Sequence, residues 1–261
     1  MQTFRFKCQC HIGDQIFMLW FLNAAAKRWP DINFSFWATA YDEVKPLARA
    51  LKNLEITRQD EGHAIEGWMA QDGFYHAYRG DGSKFIDFMI RFHAYVCLKN
   101  GLPEWTMPDR REMLLPAECM DGEHALKGES FDVLFVNSAA MSGQCANFDQ
   151  EGLNEMARRV VKSEFKTVVT HPCGLDVPTT TTLGLKLNQL GELASRCKIV
   201  VGIANAPFLV TFNELAFPHV KRWVNFSCDR VNFDDDRVIG CYSQPQFETQ
   251  LGEALKAFHS L

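Results

Sequence analysis

The sequence predicts an α/β chain of two halves, each an open sheet of parallel strands with helices, facing one another across a cleft in a compact version of that plan. Three observations predict it. From Thr3 to Asn100, short apolar runs alternate with helical runs, the pattern of parallel βαβ units. Between Gly101 and Ser130 the period lapses, broken by Pro103, Pro108 and Pro116. It restarts at Phe131 and holds to the carboxyl end. The expected division is 1–127 for the first half with its connector and 128–261 for the second, whose final helix could pack back on the first half.

The elements follow in order. TFRFKCQC reads as a strand and Asp14 to Trp29 as a helix closed by Pro30, with INFSFWA a second strand. Glu43 to Asn53 reads as a helix, LEITR as a strand, and Lys84 to Asn100 as a helix ended by Asn100-Gly101. In the second half, FDVLFVNS, FKTVVTH, KIVVGIA and VKRWVNFS read as strands. The run KIVVGIA suits a sheet covered on both faces. Helices are expected at Gln150 to Lys162, Leu183 to Cys197, Pro207 to Ala216 and Pro245 to His259.

Composition narrows the class. The 261 residues are 47% hydrophobic and 23% charged, with 27 Lys and Arg against 32 Asp and Glu. The formal charge of -5 disfavours broad contact with nucleic-acid backbone, which calls for a basic face. MQTFRFKCQC has no apolar core of signal-peptide length, and no run approaches a membrane span, so the cytoplasm is the expected compartment. Nine scattered cysteines read as reduced, buried small hydrophobes. Cys8, Cys10 and His11 lack a second ligand pair at finger-like spacing, so no metal site is expected there.

In open parallel sheets, ligands bind beyond the carboxyl ends of the strands. Four loops qualify: His11-Ile12-Gly13-Asp14, NSAAMSGQCANF, THPCGLDVPTTTT and IANAPFLVTFN. Three lie in the second half and carry Ser138, Ser142, Gly143, Gln144, Thr170, His171, Thr179 to Thr182, Asn205 and Thr211. Hydroxyls and amides at helix starts favour phosphate, although turns and caps alone also call for such residues. Pro207 suits a first helical turn, with Asn205 or Ala206 near the cap. No P-loop and no G-x-G-x-x-G is present, which weakens ATPase and dinucleotide readings. Asp14 has two readings. As an N-cap it stabilises its helix by about 1 kcal/mol; beside Gly13 in a cleft, it could accept the proton of an attacking hydroxyl.

Strand, Ile12-Gly13-Asp14, long helix, Pro30, strand resembles the amino-terminal unit of the heptosyltransferase-like glycosyltransferases, the ADP-heptose:lipopolysaccharide heptosyltransferase superfamily, whose two Rossmann-like halves form the GT-B architecture. LGLKLNQLGELASRCKIVVGIANAPFLVTFNELAFPHV resembles their donor-side segment. The resemblance implies transfer of a sugar from a nucleotide-sugar to an acceptor hydroxyl, without metal or other cofactor, with Asp14 as general base. It implies donor contacts from Gly13, Ser138, Ser142, Gly143, Gln144, Thr170, His171, Thr180, Asn205, Ala206, Pro207 and Thr211. Acceptor contacts would come from His11, His76 and Arg79, although Gly80 and Gly82 also let FYHAYRGDG read as a plain turn. The acceptor could be a glycan, a lipid-linked glycan, a protein or a nucleic-acid base. Ala204-Asn205-Ala206-Pro207 and Leu209 stand where the family carries Asp-Thr/Ser-Gly-Pro and a histidine. That departure motivates an alternative, a non-catalytic nucleotide-binding protein. A third reading places a metal on Asp234 and Asp236, against a solvated turn. His93 reads as a satisfied, partly buried histidine, and Phe17 and Trp20 as helix packing.

Overall fold

The computed structural model describes residues 2–67, 85–103, 110–120, 123–139, 150–226, 235–241 and 243–259. The chain divides into two units, Met1–Cys119 and Met120–Leu261. In the first, β1 (Thr3–Cys8) leads to α1 (Ile12–Arg28), β2 (Asn33–Ala38), a single turn α2 (Tyr41–Val44), β3 (Leu54–Thr57), β4 (Ile65–Glu66) and α3 (Phe85–Lys99). The strands are parallel in the order β3-β2-β1-β4. The chain therefore steps outward from β1 to β3, then returns to the other side of β1. The switch point lies between β1 and β4.

Alternation on β1 buries Phe4, Phe6 and Cys8, and Phe6 meets Phe21 of α1 edge-on at 5.8 Å. α1 is apolar around most of its circumference and is correspondingly buried from Gln15 to Ala26 apart from Phe17. The helix expected over Glu43 to Asn53 is not formed. α2 gives way to a 3-10 turn at Lys45–Ala48, because Pro46 lacks the N–H that a continuing α-helix needs. The stretch after Gly101 is also more ordered than a free connector. Short 3-10 turns form at Arg110–Met113 and Ala117–Cys119, and Met113, Leu114 and Leu115 are buried. Asn23, inside the apolar helix α1, secures this stretch by donating to the carbonyls of Glu112 at 3.0 Å and Leu114 at 2.6 Å. His93 is fully buried rather than satisfied: it stacks on Phe21 at 4.1 Å, and its Nδ1 has no partner. Burial pushes its pKa down to about 3.

The second unit contains β5 (Phe131–Val136), α4 (Gln150–Val161), β6 (Thr167–Val169), α5 (Leu187–Ala194), β7 (Cys197–Ile203), α6 (Ala206–Leu209), β8 (Arg222–Phe226), β9 (Val238–Cys241) and α7 (Gln244–His259). All five strands are parallel, in the order β6-β5-β7-β8-β9. Here the order reverses between β5 and β7. Val133, Phe135, Ile199 and Val201 form the core with Leu153, Met156 and Val160 of α4. α7 lays Leu251 and Ala254 into the same cluster as Val224, Phe226 and Cys241, so it packs on its own unit. Gly202 permits close approach of β7 to β5, since a Cβ there would stand 2.5 Å from the Cβ and carbonyl oxygen of Val136.

Two expected helices are shorter. The one expected from Leu183 starts at Leu187, because Thr179 instead bridges in parallel to Val169 and Gly184 turns with φ +68°. The one expected to reach Ala216 stops at Leu209, where the Thr211 hydroxyl donates to the Phe208 carbonyl at 2.7 Å. β9 follows the Asp-rich stretch and extends the sheet beyond β8.

Candidate functional site

At the switch point of the second sheet, the apolar strand β5 ends in a polar residue, Asn137, which is fully buried. Its Oδ1 accepts from the amides of Thr170 at 3.1 Å and His171 at 2.8 Å, and from the Thr170 hydroxyl at 3.3 Å. Its Nδ2 donates to the His171 carbonyl at 2.8 Å and to Asn154 at 2.9 Å. One side chain thus ties the exit of β6 to the exit of β5. Gln150, at the start of α4, donates to the Asn137 carbonyl at 2.6 Å and accepts from the Ala139 amide at 2.9 Å. Sequence reasoning missed Asn137, Gln150 and Asn154. A lone amide directly after FDVLFV was the available signal, because a buried polar group must find partners.

Within this frame, the Ser138 and Thr170 hydroxyls stand 3.0 Å apart. Asn205, at the exit of β7, donates to the Ser138 carbonyl at 2.7 Å and caps α6 by accepting from the Phe208 amide at 3.1 Å. Ala206 and Pro207 form the first turn of α6. Ser138, Thr170, His171, Asn205, Ala206 and Pro207 are therefore brought together across three neighbouring strand ends. Thr211 is not among them, and this corrects the expectation. It is fully buried, and its hydroxyl also accepts from Trp223 Nε1 at 3.1 Å, so it braces the turn from behind. Thr180 is buried beside β6, its amide donating to the Val169 carbonyl at 2.9 Å. Ser142, Gly143, Gln144, His76, Arg79 and Asp234 lie outside the described residues.

The first sheet builds its switch point differently. His11, exposed, is the N-cap of α1 by backbone geometry (φ −62°, ψ 159°) and makes no side-chain cap bond. Asp14 is therefore not the cap; it sits in the first turn, with Gly13 beside it. Next to it, buried Gln15 donates to the Cys10 carbonyl at 2.8 Å and the Thr39 hydroxyl at 2.7 Å, and accepts from the Ala40 amide at 3.1 Å. Gln15 fastens the exit of β1 to the exit of β2, as Asn137 does in the other unit. Asp14 is half-buried, and desolvation pushes its pKa up to about 6 against the opposing pull of His11 and nearby amides. A helix start alone would have held it down. Cys10 lies close enough to feel both Asp14 and Glu66; after burial, their charges raise its thiol pKa further.

The Asp-rich stretch before β9 is structural where it is described. Asp235 pairs with Arg237 at 2.7 Å, and Arg237 also donates to the carbonyls of Phe217 and Val220. The Asp236 carbonyl accepts from Arg222. Among the described residues, no group of three or more His, Cys, Asp or Glu is arranged to hold a metal ion, and no helix is long and apolar enough to cross a membrane.

No protein-family model and no curated protein matches this sequence. Solved structures do match. E. coli heptosyltransferase WaaC with ADP-2-deoxy-2-fluoro heptose superposes with TM-score 0.58 at 10% identity, covering 100% of this chain and 99% of that one. WaaC with ADP gives 0.53 at 10% identity, covering 99% and 96%. The iron-containing dodecameric glycosyltransferase TibC of enterotoxigenic E. coli H10407 gives 0.57 at 12% identity, covering 99% of this chain and 76% of that one. At these identities the common property is the fold, and in fold the resemblance read from the sequence is borne out.

Proposed function

We propose that this protein is a glycosyltransferase that moves a sugar from a nucleotide-sugar to an acceptor hydroxyl, with Asp14 as general base and without a metal. The observation that carries the reading is Asp14 itself. His11 rather than Asp14 is the N-cap of α1, and burial makes the ionised form of Asp14 costly even though amides at the helix start hydrogen-bond it. A carboxylate retained under such a penalty suits a chemical role, and a base titrating near 6 is ionised at neutral pH yet more basic than a free aspartate. Support for the donor comes from the second unit, where hydroxyls and an amide converge at the place where open α/β sheets bind ligands. It also comes from the shared fold, since WaaC is described with ADP and with an ADP-sugar analogue.

In this reading the first unit supplies the base and acceptor contacts and the second the donor contacts. His11 would line the acceptor side beside Asp14. Ser138, Thr170, Asn205 and the Ala206-Pro207 turn would hold the donor. The reading is tested by thermal shift against UDP, GDP, ADP, CMP and dTDP, followed by transfer from the sugar-linked form of the best binder. One nucleotide should raise the melting temperature in a concentration-dependent way. A flat response to all five would overturn the donor site. A second reading, binding without chemistry, is favoured by Ala204 and Ala206; binding with no turnover across an acceptor panel would establish it.

A further inference from the structure

We propose that Asn225 is a specificity-determining residue that recognises a hydroxyl-bearing ring of the nucleotide-sugar, using both ends of its carboxamide. The inference rests on the donor reading above and adds a residue that decides which donor fits.

Asn225 is the next-to-last residue of β8, in the run Arg-Trp-Val-Asn-Phe. Val224 and Phe226, on either side of it, belong to the apolar cluster shared with α4 and α7. Alternation therefore turns Asn225 to the opposite face of the sheet, together with Trp223. It is fully buried there, and neither its Nδ2 nor its Oδ1 has a hydrogen-bond partner. Among the described residues it is the one side chain with two polar atoms buried and unpaired. Other buried polar groups of this unit are satisfied. Trp223 Nε1 donates to Thr211 at 3.1 Å, and Asn213 donates to the Gly191 and Val210 carbonyls and accepts from the Ala216 amide. A buried carboxamide without partners is costly, and leucine has nearly its shape without that cost. The unpaired carboxamide points to a partner from outside the chain.

Its position says what kind of partner. In register, Asn225 stands between Gly202 of β7 and Gly240 of β9, so neither neighbouring strand offers a side chain on that row. Gly240 is partly exposed, and a strand glycine admits close approach of a ligand. β8 lies beside β7, whose exit carries Asn205 and the Ala206-Pro207 turn, and adjacent strands are about 4.8 Å apart. A donor whose phosphates meet that turn brings its attached rings within reach of the β8 exit. A carboxamide donates through Nδ2 and accepts through Oδ1, and a hydroxyl likewise both accepts and donates. Two neighbouring hydroxyls on one ring would answer both ends. Two rings of the donor carry hydroxyls, the transferred sugar and the ribose, and the test separates them.

The test uses the full chain and compares wild type with Asn225→Leu and Gly240→Ala. The nucleoside diphosphate that shifts the wild type most among ADP, GDP, UDP, CDP and dTDP is titrated beside its glucose-linked form. Urea midpoints are taken without ligand. Loss of two neutral hydrogen bonds predicts that Asn225→Leu weakens binding about tenfold or more. With the sugar as partner, only the glucose-linked form weakens; with the ribose, both weaken alike. Without ligand, Asn225→Leu should unfold at the urea concentration of wild type or higher, because no bond is lost in the free protein. Gly240→Ala keeps the carboxamide, sets a methyl group beside it on strand backbone that alanine can adopt, and should weaken the same ligand. Unchanged affinities in both variants would overturn the proposal and leave Asn225 with a bound water. Weaker binding in Asn225→Leu with a lower urea midpoint, and no effect of Gly240→Ala, would mark a structural role and overturn it too. Failure of the wild type to bind any of the five diphosphates would instead bring down the donor reading itself.

Discussion

The two switch points solve the same mechanical problem with different polar groups around it. In each, a buried amide side chain, Gln15 in the first unit and Asn137 in the second, ties the exit of the first strand to the exit of the next. Around Gln15 stands a carboxylate, Asp14, pushed up to about 6 by desolvation. Around Asn137 stand hydroxyls, an amide and one imidazole. Similar scaffolds thus present different groups: a half-buried carboxylate on one sheet, hydroxyls and amides on the other. Fold alone does not decide which groups stand there; the few residues at each strand exit do.

The comparison is broken most forcefully at the two amides. Asn137→Ala strands the His171 amide, leaves the Thr170 amide with the Phe135 carbonyl alone, and should destabilise the protein by about 3 kcal/mol or more. It should also abolish stabilisation by nucleotide. Gln15→Ala removes fewer bonds and should cost about 2 kcal/mol, leaving the nucleotide response in place. Denaturant titrations with and without nucleotide measure both, and equal loss of the nucleotide response would erase the distinction between the units.

A smaller effect sharpens the comparison at Asp14. An unfolded aspartate loses its proton near 3.8 and the native one near 6, so between these values the native state holds more proton. Stability should therefore fall as pH rises from 4 to 6, by about 1–3 kcal/mol, and stay lower above it. Asp14→Asn should be as stable as wild type at pH 4 and more stable at pH 7.5. Urea midpoints across this range check it; an Asp14→Asn variant less stable than wild type at pH 7.5 would restore a stabilising, cap-like role.

The alternation of strands and helices was legible in the sequence because apolar periodicity survives folding context. Helix limits at Lys45–Ala48 and Leu187 were not, since they depend on Pro46 and on the bridge between Thr179 and Val169, a contact between distant residues. The loops after β5, β6 and β7 were read from their small and hydroxyl residues, and Ser138, Thr170 and Asn205 do converge. Thr211 has the same composition signal but faces Trp223, and nothing in composition distinguishes a hydroxyl turned inward from one turned out. Asn137 escaped for the converse reason: its importance lies in partners more than thirty positions away in sequence.

The most direct measurement sets Asp14→Asn beside wild type in one preparation at pH 7.5, recording sugar transfer, nucleotide-induced stabilisation and melting temperature. A general base at Asp14 predicts transfer reduced about a hundredfold or more, nucleotide stabilisation unchanged and a melting temperature at or above that of wild type. Transfer at the wild-type rate would contradict it, and the carboxylate would then be a structural residue at the entrance to a helix.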